Sequence, residues 1–159
     1  MTSQLIITSV EELQDTINAK VKSFNGIVGI YVSLNKTQKS TEEILKKSGV
    51  KTEKLFFIDC VTTEKSRDDV LHISPEQLDM LSEAIKEFIK EIKAEKFLII
   101  DALSTLLIYN SENKVAKFVK EMTEYSSENN VQVVAFSPKT QGEELLSKIF
   151  NFFDKVEGR

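Results

Sequence analysis

Glycine and proline are scarce in this sequence. Its 159 residues include five glycines and two prolines. So few chain-breaking residues exclude a collagen-like repeat and disfavour a disordered or loop-rich chain. Neither G-x-x-x-x-G-K-[ST] nor G-x-G-x-x-G occurs anywhere along the chain. The sequence therefore lacks both of these glycine-rich motifs that hold nucleotide phosphates.

Arginine and cysteine are almost absent. Two arginines, Arg67 and Arg159, accompany nineteen lysines, and the net charge is −4. Because arginine makes many of the bidentate contacts to phosphate and guanine, we do not expect nucleic-acid binding. The single cysteine, Cys60, cannot form an internal disulfide, which is compatible with a reducing compartment.

Long apolar runs are also missing. The stretches 97–100 and 106–109 are among the longest uninterrupted ones, with four residues each. A transmembrane helix needs roughly 18 apolar residues, so no membrane interaction is expected. No signal peptide is visible either. We therefore expect a cytoplasmic protein.

Short apolar runs alternate with amphipathic patterns along the whole chain. Runs rich in β-branched and aromatic residues predict strands at 5–8, 27–34, 55–61, 97–101 and 131–137. Apolar residues at steps of three and four predict helices at 10–24, 40–49, 74–92, 111–129 and 145–150. We expect Ser40 to cap the second helix and Pro75 to be the first residue of the third.

Two segments do not fit this alternation. Residues 62–72 are polar and charged, so we expect a surface loop, and residues 151–159 should form a short edge strand or a flexible tail. The remaining order of elements predicts one domain, residues 1–159. Its fold class is α/β, a three-layer sandwich with a mainly parallel five- or six-stranded sheet and helices on both faces.

Ligands of open parallel sheets bind beyond the carboxyl ends of the strands. Among the residues at or just after the predicted strand ends, we select a candidate crevice formed by Thr8, Ser9, Ser33, Asp59, Asp101, Ser104 and Lys139. Asp59 and Asp101 each end an apolar run, and Asp101 is the candidate metal ligand because a carboxylate there can hold Mg²⁺. Each aspartate can instead cap a helix or accept a hydrogen bond from a neighbouring strand end.

Other catalytic arrangements have little support. A nucleophilic Cys60 would need a base, and the only histidine, His72, lies in the predicted loop. A zinc site would need several ligands at close spacing, and a serine hydrolase of the G-x-S-x-G type would need that motif; the sequence has neither. We therefore predict no catalytic residue.

One segment resembles a known family. Residues 96–110, Lys-Phe-Leu-Ile-Ile-Asp-Ala-Leu-Ser-Thr-Leu-Leu-Ile-Tyr-Asn, are similar to the Walker B strand and following segment of KaiC-like members of the RecA ATPase superfamily. Residues 30–33, 40–44 and 55–59 resemble the intervening strands and helix. The resemblance covers about residues 4–156 and implies a RecA-like topology of the P-loop NTPase type, in a cytoplasmic protein of archaea or bacteria.

The chain departs from this family at the residues that bind phosphate and at those that catalyse hydrolysis. The family's first strand leads into a glycine-rich Walker A loop, whereas here Thr8 leads directly to Ser9, Glu11 and Glu12. The family's catalytic glutamates follow the second strand, where this chain has Asn35 and Lys36. The resemblance therefore implies a degenerate domain, and we expect neither ATP hydrolysis nor a bound cofactor.

Three functions remain open at this stage. The leading one is a non-catalytic RecA/KaiC-like domain that acts in regulation or signal transduction through protein contacts. The resemblance implies a protein partner, either a second copy of the chain or an active KaiC-like ATPase. The alternatives are a nucleotide or small-molecule binding protein that uses the crevice, and a receiver-like domain phosphorylated at Asp59.

Overall fold

The computed structural model describes residues 2–61, 70–139 and 142–158. These residues form seven strands: β1 (Ser3–Thr8), β2 (Val28–Ser33), β3 (Leu55–Asp59), β4 (Val70–His72), β5 (Lys96–Asp101), β6 (Gln132–Pro138) and β7 (Lys155–Glu157). The α-helices are α1 (Val10–Ser23), α2 (Gln38–Lys47), α3 (Leu78–Glu91), α4 (Glu112–Glu128) and α5 (Glu143–Ile149). Two 3₁₀ helices, Leu103–Ile108 and Phe150–Phe152, complete the described elements.

The seven strands form one sheet in the order β4-β3-β2-β5-β6-β1-β7. Every described pair is parallel, from β3 with β4 at one edge to β1 with β7 at the other. Parallel strands require crossover connections, which the helices supply. The structure therefore has the predicted α/β sandwich, with one strand more than the larger predicted number.

The core lies in two layers, one on each face of the sheet. On one face the sheet packs against α1 and α2, with Tyr31, Phe57 and Phe136 pointing into this layer. On the other face it packs against α3, α4 and α5, and Ile30 and Leu98 point there. Because alternate residues of a strand point to opposite faces, the near-continuous apolar runs of the middle strands serve both layers.

Two predicted helix starts are wrong. The N-cap of α2 is Thr37, whose hydroxyl accepts the Ser40 N–H at 3.1 Å, so Ser40 lies inside the first turn. The chain around Pro75 forms a turn, with Gln77 N–H donating to the Ser74 carbonyl at 3.0 Å, and α3 begins only at Leu78. Both segments contain several residues that favour helix starts, and the sequence pattern does not rank them.

The loop predicted for residues 62–72 is wrong at its C-terminal end, where a strand forms, and both edge strands lie in the two segments that do not fit the sequence alternation. Val70–His72, predicted as part of a loop, forms β4 beside β3, while residues 62–69 of that loop lie outside the described residues. Lys155–Glu157 forms β7, which is one of the two expectations for the C-terminal segment. Within the described residues, no helix is both long and apolar enough to cross a membrane.

Gly29 provides a test of the packing between β2 and the α1 layer. A Cβ at this buried position would overlap the ring of Phe97 and lie 2.7 Å from Leu55 Cδ2. We expect Gly29→Ala to lower the free energy of unfolding, measured by urea denaturation, by about 1–3 kcal/mol, as overpacked cores do.

The control is the double variant Gly29→Ala/Phe97→Leu, because removing the ring makes room for the methyl group. The double variant should lose less free energy of unfolding than Gly29→Ala and Phe97→Leu lose in sum when each is made alone. A Gly29→Ala protein as stable as the parent would contradict this account, since alanine otherwise stabilises a strand relative to glycine.

Candidate functional site

The candidate crevice lies where two adjacent middle strands end. After β2 the chain turns to α2 on one face of the sheet, and after β5 it turns through the 3₁₀ helix Leu103–Ile108 to α4 on the other face. Ser33 pairs with Asp101 at this point, and the Leu34 N–H donates to the Asp101 carbonyl at 2.7 Å. This is a topological switch point, the place where open parallel sheets bind their ligands.

Asp101 lies in a buried hydrogen-bond network at the switch point. Asp101 is only 3% exposed. The Tyr31 hydroxyl donates to Oδ2 at 2.7 Å, and the Asn35 side-chain amide donates to Oδ1 at 3.4 Å. Asn35 Oδ1 in turn accepts a hydrogen bond from the Thr105 hydroxyl. Both carboxylate oxygens therefore already have donors from the protein itself.

The positive charge of Lys36, the residue after Asn35, offsets part of the cost of burying the Asp101 carboxylate. Burial raises the pKa of Asp101 above its ordinary value of 3.8, while the Tyr31 hydrogen bond and the positive charge of Lys36 oppose that rise. Lys36 is held by α1, since its Nζ donates to Gln14 Oε1 at 3.0 Å. A protein cation thus supplies part of the compensation that a bound metal ion would give a buried carboxylate.

Asp59 caps a helix. Its residue is 2% exposed, its Oδ2 accepts the Gln38 N–H at the first residue of α2 at 3.0 Å, and its Oδ1 accepts the Val61 N–H at 2.8 Å. His72 Nδ1 lies 3.9 Å from the same Oδ2. A carboxylate in this position complements the partial positive charge of the helix N-terminus. This geometry is that of an aspartate that caps a helix, which is the alternative to a ligand-binding role.

The remaining predicted residues are distributed over the edge. Ser33 is fully buried between Asp59 and Asp101 in the sheet register, and its hydroxyl donates to the Ile58 carbonyl at 3.4 Å. Thr8 lies two strands from Asp101, about 10 Å away by strand spacing, because β6 separates β1 from β5.

Ser9 and Lys139 lie at the Thr8 end of this edge. The Ser9 hydroxyl caps α1 by accepting the Glu12 N–H at 3.3 Å. Lys139 is exposed, and its backbone N–H donates to the Thr8 carbonyl at 2.9 Å. Ser33, Asp59 and Asp101 therefore come together, while Thr8, Ser9 and Lys139 form a separate group.

The Cys60 thiol is a poor nucleophile, and the described acidic side chains form no cluster that could hold a metal ion. Burial and the negative charge of Asp59 raise the pKa of Cys60 to about 12, so the nucleophilic thiolate is scarce at neutral pH. Across residues 2–61, 70–139 and 142–158, no group of three His, Cys, Asp or Glu residues could hold a metal ion.

A cleft of ≈ 740 Å³ opens at the same carboxyl edge, on the α3–α4 face of the sheet. Its walls come from the ends of β2, β3 and β4 and from the 3₁₀ helix that carries Ser104. None of the twelve described residues that line it is Asp, Glu, Lys or Arg. By contrast, seven of the twelve described residues that line a groove of ≈ 920 Å³ between α3 and α4 are charged.

Three apolar side chains stand exposed beside this cleft. Ile108 is 73% exposed, Tyr109 48% and Val61 43%, and all three belong to the lining. Asn35 and Thr105 also line the cleft, so the Asp101 network reaches its wall. We call this surface the edge cleft.

The profile of one protein family matches residues 6–150, and its description is "Protein of unknown function (DUF835)". The chain belongs to the DUF835 family. No curated protein matches the sequence.

Two solved structures from Pyrococcus horikoshii resemble this DUF835 chain. The KaiC-like protein PH0186 of strain OT3 superposes with a TM-score of 0.70 at 15% identity, over 98% of this chain and 69% of that chain. The uncharacterized protein PH0321, crystallised in complex with an unknown peptide, gives 0.71 at 15% identity, over 98% and 76%. The DUF835 chain therefore has a KaiC-like, RecA-type fold.

Sequence reasoning found Asp101 but missed its partners. Tyr31 lies two residues before the end of β2 and Asn35 two residues after it, so both can reach the end of the adjacent strand. The alternation of side chains along β2 could have indicated Tyr31. Tyr31 and Ser33 point to the same face of the sheet, and Ser33 pairs with Asp101. The edge cleft had no such signal, because its walls come from four separate segments.

Removing the Tyr31 hydroxyl tests the network in the DUF835 chain. Tyr31→Phe keeps the ring but deprives Asp101 Oδ2 of its donor in a buried site. We expect a loss of about 1–3 kcal/mol in the free energy of unfolding at neutral pH, measured by urea denaturation. Tyr109→Phe, on an exposed ring, is the matched control and should lose almost nothing; equal losses in both variants would refute the role of Tyr31.

The pH dependence of stability tests the burial of Asp101. Its pKa is raised in the folded state, so above 3.8 the folded protein retains a proton that the unfolded chain has released. Stability from this group is therefore complete at pH values below 3.8 and falls as the pH rises through the folded-state pKa.

Asp101→Asn removes this titration while keeping an acceptor for Tyr31. The stability of the parent relative to Asp101→Asn should decrease between the acid side of pH 3.8 and neutral pH, as measured by urea denaturation at a series of pH values. A relative stability that increases with pH would mean that the charged form is favoured on folding.

Proposed function

We propose that this DUF835 chain is a non-catalytic RecA/KaiC-like domain that acts in regulation or signal transduction through protein–protein contacts. The observation that carries the proposal is the exposed apolar surface of Val61, Ile108 and Tyr109 beside the edge cleft, whose described lining contains no Asp, Glu, Lys or Arg. Apolar side chains clustered next to a cleft on an otherwise charged surface are typical of protein-binding sites.

The start of α1 argues against a nucleotide at the phosphate position of the fold. Ser9 caps the helix directly after β1, and Glu11 and Glu12 stand exposed in its first turn. These carboxylates complement the helix dipole and repel a triphosphate. A glycine-rich loop would instead present backbone N–H groups to the phosphates.

The side chains at the switch point argue against the other two alternatives. Asp101 accepts hydrogen bonds from Tyr31 and Asn35, which leaves it engaged inside the protein. Asp59 is buried and accepts two backbone N–H groups, whereas a receiver aspartate must be open to a phosphodonor. Protein binding requires neither group, which is why we prefer it.

The peptide seen with PH0321 supports a protein partner for a domain of this fold. The partner we propose is another protein, with an active KaiC-like ATPase or a second copy of the chain as the candidates that the resemblance suggests. The mass of the purified protein in solution distinguishes these two candidates. If the chain binds a second copy of itself, the mass increases with protein concentration.

A display experiment tests the proposal. A phage library of proteome fragments from the source organism, selected on the purified protein, should yield fragments that bind saturably in calorimetry. In parallel, ATP, GTP and cyclic nucleotides, with and without Mg²⁺, should leave the melting temperature unchanged, since a ligand that binds only the folded state would raise it.

Two results would contradict the proposal. Stabilisation by a nucleotide that increases with its concentration would return the crevice to nucleotide binding. Failure to select any saturable binder, together with a monomeric mass at all concentrations, would remove the basis for a protein-contact domain.

A further inference from the structure

We infer that the edge cleft binds an uncharged peptide segment of a partner protein, with apolar side chains as its anchors. This inference rests on the proposed function and adds to it the site and the class of partner sequence. It is carried by the charge, exposure and hydrogen-bonding groups of the described residues that line the cleft.

The first argument is charge. Asp, Glu, Lys and Arg make up 29% of the chain, yet none of the described lining residues is one of them. A charged side chain that entered the cleft would lose water without gaining an ion-pair partner from these residues, which is costly. The described lining of the cleft therefore disfavours charged segments, unlike the described lining of the groove between α3 and α4.

The second argument is the position of the apolar groups. Ile108 is 73% exposed, so most of its surface faces away from the cleft floor. A small molecule enclosed by the cleft would cover only part of Ile108, because that side chain is so exposed. A peptide that runs through the cleft and over its wall covers both Ile108 and Tyr109, and burying such side chains contributes about 25 cal/mol per Å².

The third argument is the mixture of groups on the lining. Buried Ile73 and Leu34 line the cleft together with the hydroxyl-bearing residues Ser74 and Ser104. A peptide carries apolar side chains on a backbone of N–H and C=O groups that need partners when water is excluded. Uncharged donors and acceptors beside apolar walls match a peptide better than they match a hydrocarbon chain.

The fourth argument is that the wall is fixed before binding. Leu103 and Leu106 of the 3₁₀ helix are fully buried, which turns Ile108 outward. The Asn110 side-chain amide donates to the Pro75 carbonyl at 2.8 Å and to the Leu106 carbonyl at 3.0 Å. This bond joins two walls of the cleft, so a bound segment need not order them, and the entropy cost of binding is reduced.

The experiment uses a random-peptide phage library selected on the purified full chain. Selected sequences should be enriched in aliphatic and aromatic residues and depleted of Asp, Glu, Lys and Arg relative to the unselected library. Affinities of synthetic peptides, measured by calorimetry, should change little with ionic strength because no ion pair contributes.

Matched substitutions locate the site. Ile108→Asp and Tyr109→Asp place a charge on the exposed wall and should weaken binding by at least about tenfold, as loss of an interface anchor does. Met80→Asp and Val10→Asp, at side chains that are 54% and 57% exposed elsewhere, should leave the affinity within about twofold. Thermal unfolding is measured for all four variants, and each should show a cooperative transition like that of the parent.

The outcomes separate this inference from the proposed function. Three results would overturn the edge cleft as the binding site while a protein-contact function stands. The binders could tolerate Ile108→Asp and Tyr109→Asp, they could be lost on Met80→Asp, or they could be rich in charged residues. The absence of binders from both this library and the proteome fragments, together with a monomeric mass at all concentrations, would remove the function as well. Competition by a nucleotide or other small molecule for the same wall would assign the cleft to that ligand class instead.

Discussion

The structure of this edge depends on the partners of one buried carboxylate. Asp101 ends β5 in the middle of the sheet, where an isolated ionised group would be expensive. The chain meets this requirement from the neighbouring strand, because Tyr31 and Asn35 lie on either side of the end of β2 and both donate to it. Lys36, held by Gln14 of α1, adds a compensating positive charge. The carboxylate therefore joins both middle strands to the first helix.

The same network sets one wall of the edge cleft. Asn35 accepts from Thr105 while it donates to Asp101, so the 3₁₀ helix is tied to the switch point at its start and, through Asn110, to the Pro75 turn at its end. Between these attachments Leu103 and Leu106 fill the core. Leu107 packs against the core as a partly buried residue, and Ile108 is the apolar residue of this helix that stands exposed. The 3₁₀ helix thus links the buried Asp101 network to the exposed surface of the edge cleft.

Sequence patterns predicted what depends on local order. Apolar runs located the five main strands, and the aspartate that ends residues 97–101 was recognised as a site residue. Patterns failed where several local signals competed, as between Thr37 and Ser40 for the cap of α2, or where a three-residue strand such as Val70–His72 forms only because β3 offers a neighbour. The edge cleft could not be predicted from the sequence at all, because its walls come from four segments that only the sheet order brings together.

Charge is distributed unequally over the carboxyl edge of the sheet. On the α1 face, Glu11 and Glu12 stand exposed at the start of α1, Lys36 stands near Asp101, and the buried groups are engaged with one another. On the α3 face, the described lining of the edge cleft has no Asp, Glu, Lys or Arg and is bordered by exposed apolar residues. Binding a triphosphate needs concentrated positive charge and free backbone donors, whereas binding a peptide needs apolar area with uncharged hydrogen-bonding groups. This distribution over the described residues supports our proposal that the domain recognises a protein rather than a phosphate.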